Sequence, residues 1–536
     1  MAAWNFATVW DTVAQAHPDR IALAHIARAP GDRRLDWRSM ERRAAGVAAT
    51  LCGAGLGRGD KVALYLHNAP EYLEAAYAAM KAGLVPVNTN YRYVADELLY
   101  LWTNADAAAV VFHAAFTATV EALRGRCPAV RLWLHVDDGN GPCPSWAEPY
   151  EQAAATPRAA HLISGDDQIL IYTGGTTGLP RGVMWRQHDL YLASNASGDA
   201  ATFDTEAVQA RLSGPGPIGL PAAPLMHGTG FVFAATILNR GGTVLTLTEP
   251  KFDAHLLLDA IGRERVTDLC IVGDAFCRPM VEALEQEPGR YDLSSLKIVS
   301  SSGMMWSPAV KARLLLHAPD VLMIDFLNAS EASGLGRSLT SARKQEAGAR
   351  FRLGENAFVL DDDDRPMPPG TGRPGRLAVR GRVPLGYYKD PVKTAATFPT
   401  IGGVRCAVPG DYAIVEADGS VTLLGRGSIS INTGGEKVFP EEVEEAVKTF
   451  PAVRDALVVG VPDPRFGQVV AAVVEPVPGQ TVERHALLAY LHGRLAPHKL
   501  PRIVMPVDTI GRAPNGKADY RAMAGRVAAW HEPGKE

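Results

Sequence analysis

Residues 172–183 combine glycine, threonine and a fixed positive charge in a pattern that can bind a polyphosphate. The stretch reads YTGGTTGLPRGV and follows an apolar run, residues 168–172, that predicts a strand. Glycines let the backbone take positive φ and approach a ligand closely, and successive N–H groups in such a loop form a nest for anions. Threonine hydroxyls add donors. The predicted phosphate contacts are Thr173, Gly174, Gly175, Thr176, Thr177, Gly178 and Arg181.

The bulk properties indicate a soluble, multi-domain protein. A chain of 536 residues is too long for one core, and its 47% hydrophobic and 21% charged residues are typical of globular proteins. The net charge of −4 gives no reason to expect a nucleic-acid partner. Six cysteines without a C-x-x-C pair favour reduced thiols over a disulfide framework or zinc site. We see no signal peptide and no membrane span, so we expect a cytoplasmic protein.

The first 345 residues alternate strand and helix patterns, which predicts parallel sheets covered by helices. The apolar segment of residues 231–238 predicts one of these helices. Predicted strands at 268–272 and 297–300 end in small residues, where open α/β sheets leave room for ligands. Residues 161–345 repeat the alternation of the first 165, so two similar sheet subdomains are expected. Helices are predicted at 38–54, 71–82 and 94–103, and strands at 61–66, 85–87, 108–112 and 243–248.

From residue 351 the pattern changes to hairpins, which predicts a small antiparallel barrel or sheet. The acidic run at 361–364 is interpreted as a solvated turn, because no second acidic cluster accompanies it. Beyond residue 425 the pattern is α/β again. We therefore predict an α/β fold with an N-terminal domain, residues 1–425, made of two helix-covered sheet subdomains and a small β-barrel, and a smaller α+β domain, residues 426–536.

The phosphate loop closely resembles the signature of the adenylate-forming superfamily, which includes acyl-CoA synthetases, adenylation domains and luciferases. It lacks the Lys-Ser/Thr pair of a Walker loop. The family usually has lysine where this chain has Arg181, so a planar fork replaces a compact ammonium. The resemblance covers nearly the whole chain. It implies ATP, Mg²⁺ and CoA as ligands: a carboxylic acid attacks MgATP to give an acyl-adenylate and pyrophosphate, and CoA thiol then displaces AMP.

Residues 324–331, IDFLNASE, resemble the second nucleotide motif of this family. Leu327 and Asn328 replace its aromatic-Gly pair, and Ser330 replaces its threonine. The resemblance implies that Glu331 binds Mg²⁺ together with Thr176, and that both take part in catalysis; a hard carboxylate suits that ion. The nucleotide contacts implied here are Gly303, Met304, Asp325, Leu327, Asn328, Ala329 and Ser330.

Three further motifs lie in the last quarter of the chain. Asp411 and Arg426 resemble the ribose and phosphate contacts of the family, and Ser428 stands where it commonly has a hinge aspartate. The motif around Lys437 resembles the loop that lines the pantetheine tunnel, which implies CoA contacts at Gly434, Gly435 and Lys437. Residues 512–520, RAPNGKADY, match the C-terminal lysine motif. The resemblance implies that Lys517, on a mobile small domain, is catalytic and bridges the carboxylate and the α-phosphate.

The acyl pocket is predicted at His227, Phe231, Gly273, Ser302 and Gly303. Small residues such as Gly228 and Gly230 are expected to leave volume, and Met304 and Met305 offer adaptable apolar walls. The expected substrate is a sizeable hydrophobic carboxylic acid. Parts of the chain are similar to a bacterial subgroup of fatty-acid synthetases, some of which activate steroid side-chain acids. Loading of a carrier protein, a non-catalytic nucleotide-binding role and a homodimer remain open alternatives.

Overall fold

The structure is a computed structural model. It describes residues 4–28, 31–159, 163–175, 178–195, 212, 214–249, 251–304, 306–343, 350–433, 436–463, 466–492, 494–495, 497–513 and 518–531. The chain divides into two compact units. The first contains Met1–Gly334, Leu339–Gln345 and Arg380–Ala407, and the second contains Leu335–Ser338, Glu346–Val379 and Val408–Glu536. The domain boundary predicted between residues 425 and 426 stays a prediction.

Helices follow strands through most of the described chain. In chain order they are α1 (Phe6–Ala16), α2 (Trp37–Gly53), α3 (Pro70–Lys81), α4 (Ala95–Asn104), α5 (Thr117–Arg124), α6 (Tyr150–Ala154), α7 (Gln187–Asn195), α8 (Gly228–Leu238), α9 (Ala254–Glu264), α10 (Gly273–Gln286), α11 (Pro308–His317), α12 (Pro391–Thr397), α13 (Pro440–Lys448), α14 (Arg484–Leu491) and α15 (Tyr520–Trp530).

The strands are named in the same way. They are β1 (Ile21–Ile26), β2 (Arg33–Asp36), β3 (Lys61–Tyr65), β4 (Val85–Asn88), β5 (Ala107–His113), β6 (Leu132–Val136), β7 (Glu148–Pro149), β8 (Gln168–Gly175), β9 (Gly178–Arg186), β10 (Ile218–Pro221), β11 (Thr243–Leu247), β12 (Asp268–Ile271), β13 (Ile298–Ser302), β14 (Leu322–Ala329), β15 (Ala332–Thr340), β16 (Arg350–Leu353), β17 (Ala357–Leu360), β18 (Pro374–Arg380), β19 (Gly386–Tyr387), β20 (Thr400–Ile401), β21 (Val404–Ala407), β22 (Asp411–Val415), β23 (Ser420–Arg426), β24 (Ile431–Thr433), β25 (Glu436–Val438), β26 (Val453–Asp463), β27 (Gly467–Pro476) and β28 (Ile503–Pro506).

Local sequence explains where several helices begin. The Asp36 carboxylate accepts a hydrogen bond from the Ser39 N–H and caps α2. Pro70 occupies the first turn of α3, where its missing N–H costs no helical hydrogen bond. α3 is buried along its whole length, because it lies in the interior of the first unit.

The first unit contains two largely parallel sheets. One has the strand order β19-β9-β8-β4-β3-β5-β6-β7, in which only the β8–β9 and β9–β19 pairs are antiparallel. The other runs β2-β1-β11-β10-β12-β13-β14, with a single antiparallel pair at its β2 edge. Continuous apolar strands such as β5 are buried on both faces, as expected for helix-covered parallel sheets.

The second unit is antiparallel in its first part and α+β at its C-terminal end. The hairpin region runs β15-β16-β23-β22-β18, with β17 beside β18. The C-terminal sheet runs β25-β24-β27-β26, with β28 parallel to β27. Alternate residues of β26 enter two different cores: Ala456 and Val458 pack with α13 and α14, and Leu457 and Val459 pack with α15.

The predicted fold class is confirmed: the chain is mixed α/β, with a large N-terminal sheet region and a smaller C-terminal α+β region. One detail of the two sheets differs from the sequence reading. The phosphate hairpin β8–β9 belongs to the sheet of β3–β6, whereas β1, near the N-terminus, pairs with β11 in the other sheet. Chain order alone does not decide which sheet a strand joins, because parallel pairing skips along the sequence.

Two further observations concern the whole described chain. None of its helices is long and apolar enough to cross a membrane. Among the described residues, His67, His113 and Asp138 form one group close enough to suggest a metal site, at the ends of β3, β5 and β6. The Nδ1 atom of His113, however, already accepts a hydrogen bond of 3.0 Å from the His67 backbone N–H. The ring proton is then on Nε2, so this histidine offers no free lone pair to an ion.

The buried His113 predicts a loss of stability in acid. Burial is the largest effect on its pKa, which is lowered to about 4. The charges of Glu71 and Asp138 oppose this shift, and His67 adds a smaller lowering. Its ordinary pKa is about 6.5. The unfolded chain therefore binds the proton first, and stability that is complete above pH ~6.5 is lost as the pH falls towards ~4, by up to roughly 3 kcal/mol.

In His113→Asn, the amide oxygen can accept the hydrogen bond from the His67 N–H, but the side chain does not titrate. We therefore expect the thermal midpoint of this variant to fall less steeply between pH ~6.5 and ~4 than that of the parent. The midpoint is measured by differential scanning calorimetry at a series of pH values. His485→Gln, at an exposed position, is the control and should keep the parental slope. An unchanged slope in His113→Asn would show that this ring does not titrate on unfolding.

Candidate active site

The predicted phosphate loop is the tip of an antiparallel hairpin. β8 continues through Gly174 to Gly175, which pairs with Gly178 at the start of β9. Thr173 lies opposite Arg181 in the same ladder. Thr176 and Thr177 lie outside the described residues. The strand predicted at 168–172 is therefore confirmed but longer than expected, because its glycines continue the ladder almost to the turn.

Two asparagines that sequence reasoning missed fix this hairpin and the neighbouring turn. Asn88 ends β4; its Oδ1 accepts from the Tyr172 N–H at 2.6 Å, and its Nδ2 donates to the carbonyls of Tyr172 and Met226 at 2.9 and 2.6 Å. Asn68 follows β3, and its Oδ1 accepts from the Leu225 N–H at 2.7 Å. The signal in the sequence that could have identified these two asparagines is their position at or directly after the end of an apolar strand. They bind backbone groups that the strands leave unpaired at the carboxyl edge of the sheet.

Strand β9 connects several predicted site residues. The Arg181 Nε donates to the Asp390 Oδ2 at 3.2 Å, and both side chains are about one-third exposed, at 35% and 34%. Further along β9, the buried Trp185 donates from Nε1 to the Ser330 carbonyl at 2.8 Å. The strand thus links the phosphate hairpin to the residue that precedes Glu331.

Glu331 has a partner that the sequence motifs did not reveal. Its Oε1 accepts a hydrogen bond of 2.7 Å from the buried Tyr387 hydroxyl. Burial, and then the negative charge of Glu331, raise the pKa of Tyr387, so the hydroxyl keeps its proton and donates at neutral pH. Glu331 is half-buried. Its second oxygen remains a suitable ligand for a hard cation.

Strand β14 places the other predicted nucleotide residues at alternating depths. Asp325 is buried beside Lys311, with 3.4 Å between Nζ and Oδ2. Leu327 is buried, whereas Phe326 is 37% exposed and is the accessible aromatic ring of this motif. Asn328 is exposed, and its Oδ1 accepts from the Gly334 N–H at 2.8 Å. Ala329 ends β14. The nucleotide roles of these residues stay predictions.

The predicted acyl-pocket residues His227 and Phe231 line one cavity. The cavity lies between the first sheet and the start of α8, and its central space of about 20 Å³ is room for a single water molecule. Its walls are mostly apolar, and the remaining lining residues are Leu64, Tyr72, Pro86, Asn88, Ile169, Leu170, Ile171, Leu225, Met226 and Gly228.

The glycines expected to leave volume have different functions. Gly230 does not leave space: a Cβ there would lie 2.4 Å from the Pro224 carbonyl oxygen, so the glycine permits backbone packing. Gly303 has φ of 91°, and its Cβ position is open except for Thr229 at 3.8 Å.

Gly273 donates its N–H to Ser301 at 2.9 Å and begins α10. Ser302 ends β13, and neither it, Gly273 nor Gly303 lines the cavity of His227. Met304 packs on the core of the second sheet, and Met305 lies outside the described residues.

The second unit holds the remaining predicted residues. Asp411 and Arg426 are direct backbone partners at the ends of β22 and β23. Lys437 lies on β25, opposite Asn432 on β24. The turn between these strands, Gly434–Gly435, lies outside the described residues.

Lys517 also lies outside the described residues, and described residues before and after it in the sequence make hydrogen bonds. On one side, Arg512 donates to the Asp455 carboxylate at 2.6 and 3.1 Å. On the other, the Asp519 carboxylate accepts from the Ala522 N–H at 2.9 Å and caps α15.

Comparisons with known proteins identify the family. The family model of the AMP-binding enzymes matches residues 10–388, and that of the AMP-binding enzyme C-terminal domain matches residues 442–517. A medium/long-chain-fatty-acid/3-oxocholest-4-en-26-oate CoA ligase of Mycobacterium marinum is 40% identical, covering 97% of this chain and 96% of the relative. A 3-oxocholest-4-en-26-oate CoA ligase of Rhodococcus rhodochrous is 39% identical over 97% and 95% of the two chains.

Among solved structures, ATP-bound MatB from Rhodopseudomonas palustris superimposes with a TM-score of 0.81 at 25% identity, covering 99% of this chain and 100% of that one. Both sequence and fold therefore agree over the full length with the resemblance seen in the motifs. The chain belongs to the AMP-binding enzyme family and is an ATP-dependent, AMP-forming acid–CoA ligase, an acyl-CoA synthetase.

Proposed function

We propose that the acid activated by this ligase is a medium- or long-chain fatty acid or a steroid side-chain acid of the 3-oxocholest-4-en-26-oate class. The observation that carries this proposal is the position of the apolar cavity. Asn88 lines the cavity and also holds the end of the phosphate hairpin through Tyr172. An acid with its hydrocarbon part in this cavity would bring its carboxylate towards bound phosphates. The names of full-length relatives at about 40% identity support the same acids.

In the proposed first step, a carboxylate oxygen attacks the α-phosphorus of ATP, and the bond to the bridging oxygen of pyrophosphate breaks. Phosphoryl transfer of this kind depends on positioning and charge neutralisation. The hairpin residues and Arg181 would bind phosphates, and Asp411 and Arg426 the ribose and phosphate. The remaining nucleotide contacts would come from β14 and from three residues outside it, Gly303, Met304 and Ser330. Lys517 would stabilise the charge that develops between carboxylate and α-phosphate.

Mg²⁺ is part of the proposal, with Thr176 and Glu331 as the residues that would hold it. The donor set fits this ion, because the Glu331 carboxylate is half-buried and oriented by Tyr387 while one oxygen stays available. When bound, the ion supplies positive charge next to the phosphates. The protein residues orient the triphosphate and hold the carboxylate in place.

In the proposed second step, the CoA thiol attacks the acyl carbonyl, the bond to AMP breaks, and the thiol proton is released. Gly434, Gly435 and Lys437 would line the path of CoA after the C-terminal domain, residues 426–536, has turned relative to the first. All six cysteines are free thiols, which fits a reducing cytoplasmic location. A homodimer remains an open part of the proposal.

Replacement of Lys517 separates the two steps. We expect Lys517→Ala to lower acid-dependent exchange of pyrophosphate into ATP by about 10²–10³-fold or more, because the developing charge loses its cation. Thioester formation from supplied acyl-adenylate and CoA should stay within a few-fold of the parent. Lys499→Ala, which removes a lysine of the same C-terminal domain paired with Glu442 at 2.6 Å, is the control for loss of one positive charge. If Lys517→Ala exchanges pyrophosphate into ATP at the rate of the parent enzyme, the proposed catalytic role of Lys517 is contradicted.

A panel of acids tests the substrate. With acetate, octanoate, palmitate, ferulate and 3-oxocholest-4-en-26-oate, we expect the highest kcat/KM for the large apolar acids. In a homologous fatty-acid series kcat/KM should rise about fourfold per methylene until the pocket is filled, since each buried CH₂ is worth ~0.8 kcal/mol. The readout is AMP release coupled to CoA thioester formation. Preference for ferulate or acetate would refute the proposed class, and acid-independent ATP binding without AMP release would indicate a non-catalytic protein.

A further inference from the structure

The short segment of residues 386–390, here called the tyrosine segment, is fixed to the outer edge of β9. The Leu385 N–H donates to the Met184 carbonyl and the Tyr388 N–H to the Gly182 carbonyl, both at 2.8 Å. Gly386 has φ of 144°, and a Cβ there would lie 2.4 Å from the Thr394 side chain, so only glycine fits this approach. Its two tyrosines are adjacent in sequence, and their hydroxyls donate to different carboxylates, those of Glu331 and Asp106.

One face of the tyrosine segment contacts Glu331. The Tyr387 hydroxyl donates to Glu331 Oε1 at 2.7 Å, and its ring is buried against Phe398, with centroids 5.6 Å apart. The backbone N–H of Tyr387 donates to Thr394 Oγ1 at 2.9 Å, which fixes the base of the side chain. A rigid phenol that donates to one carboxylate oxygen fixes the direction of the other.

The other face contacts different residues. The Tyr388 hydroxyl donates to the exposed Asp106 at 2.8 Å. Asp106 also accepts from Lys389 at 2.7 Å. Tyr388 therefore offers a matched control: it is the adjacent tyrosine and its hydroxyl also donates to a carboxylate, but that carboxylate belongs to Asp106.

The end of the tyrosine segment contacts Arg181. Asp390 Oδ2 accepts from the Arg181 Nε at 3.2 Å, and its Oδ1 caps α12 by accepting from the Lys393 N–H at 2.9 Å. Within the described part of the chain, no other hydrogen bond of the Arg181 side chain is present. Because the contact uses Nε, both terminal amino groups can still bind phosphate oxygens. A lysine has one nitrogen and could not offer the same combination.

We propose that Tyr387 and Asp390 are positioning residues of the adenylation site: Tyr387 orients the Glu331 carboxylate for the metal ion, and Asp390 holds Arg181 in the orientation that presents its terminal amino groups to the phosphates. The inference rests on the proposed roles of Glu331 and Arg181. The inference adds that the tyrosine segment sets the geometry of both residues. This segment lies outside the motifs at residues 172–183, 324–331 and 512–520.

Metal affinity tests the role of Tyr387. Tyr387→Phe, Tyr388→Phe and Glu331→Gln are compared by two measurements: binding of Mn²⁺ to the enzyme with a non-hydrolysable ATP analogue, followed by electron paramagnetic resonance, and the Mg²⁺ concentration that half-saturates pyrophosphate exchange. We expect Tyr387→Phe to weaken Mn²⁺ binding and raise the Mg²⁺ requirement about 10-fold or more. Exchange should recover at high Mg²⁺. Tyr388→Phe should match the parent.

The outcomes separate this inference from the proposed function. If Glu331→Gln changes neither measurement, Glu331 is not a metal ligand and the proposed metal site is wrong. If Glu331→Gln weakens binding but Tyr387→Phe does not, or if the two tyrosine variants behave alike, the positioning role of Tyr387 is overturned. Parental thermal midpoints for the phenylalanine variants exclude a general loss of folding as the cause.

A double-variant cycle tests the role of Asp390. Asparagine keeps the helix cap and removes the charge, so Asp390→Asn should raise the KM for ATP about threefold to tenfold with little change in kcat, as expected for a partly exposed pair. In the Arg181→Lys background the same change should have no further effect, because the Nε contact is already absent. Additive effects in the double variant, or a parental KM in Asp390→Asn, would overturn the inference.

Discussion

The backbone ladder of β9 is the constraint on which the described part of the site depends. One edge of this strand pairs with β8 and forms the phosphate hairpin, and the other pairs with β19 and holds the tyrosine segment. Register in a ladder is fixed in steps of one residue, and a slip of one step would turn every side chain to the opposite face. The positions of Arg181, Trp185 and their partners are therefore set together by one strand, although Asp390 and Ser330 lie 209 and 145 residues from those partners in the sequence.

Charged groups of this site are paired in a way that leaves part of each group available. Arg181 is held through Nε, and Glu331 through Oε1. A half-buried charge without a partner would cost desolvation free energy, but a fully satisfied one could not bind nucleotide or metal. Pairing through one atom resolves this conflict. Asp325 and Lys311 show the alternative, a buried pair in which both side chains are only 4% exposed.

Most secondary structure and all recognised motifs could be predicted from local sequence, because strand and helix periodicity and glycine-rich turns are local properties. Strands such as β3, β4 and β11, and helices such as α2, lie within one or two residues of their predicted bounds. The partners of the motif residues could not be predicted. Asn88, Tyr387 and Asp390 lie outside the motifs, and their significance depends on pairing between distant strands. Gly230 shows a related limit: a missing side chain leaves room either for a ligand or for a backbone carbonyl, and only the tertiary structure distinguishes the two.

The shared contacts of Asn88 imply that acid and nucleotide binding influence each other. Its amide holds Tyr172 at the base of the phosphate hairpin and Met226 at the turn before His227. The cavity beside it has room for only one water molecule, so a long acyl chain bound there, as proposed, would have to displace part of its wall. Ile171 and Met226 both belong to that wall, and each adjoins a backbone group that Asn88 binds. The Asn88 amide binds the backbone at Tyr172 and at Met226 at the same time. These two segments therefore cannot move independently without breaking one of its hydrogen bonds. With the acid and the polyphosphate bound as proposed, filling the cavity would change the geometry at Tyr172, and a polyphosphate that fixes the hairpin would restrict how the cavity can open.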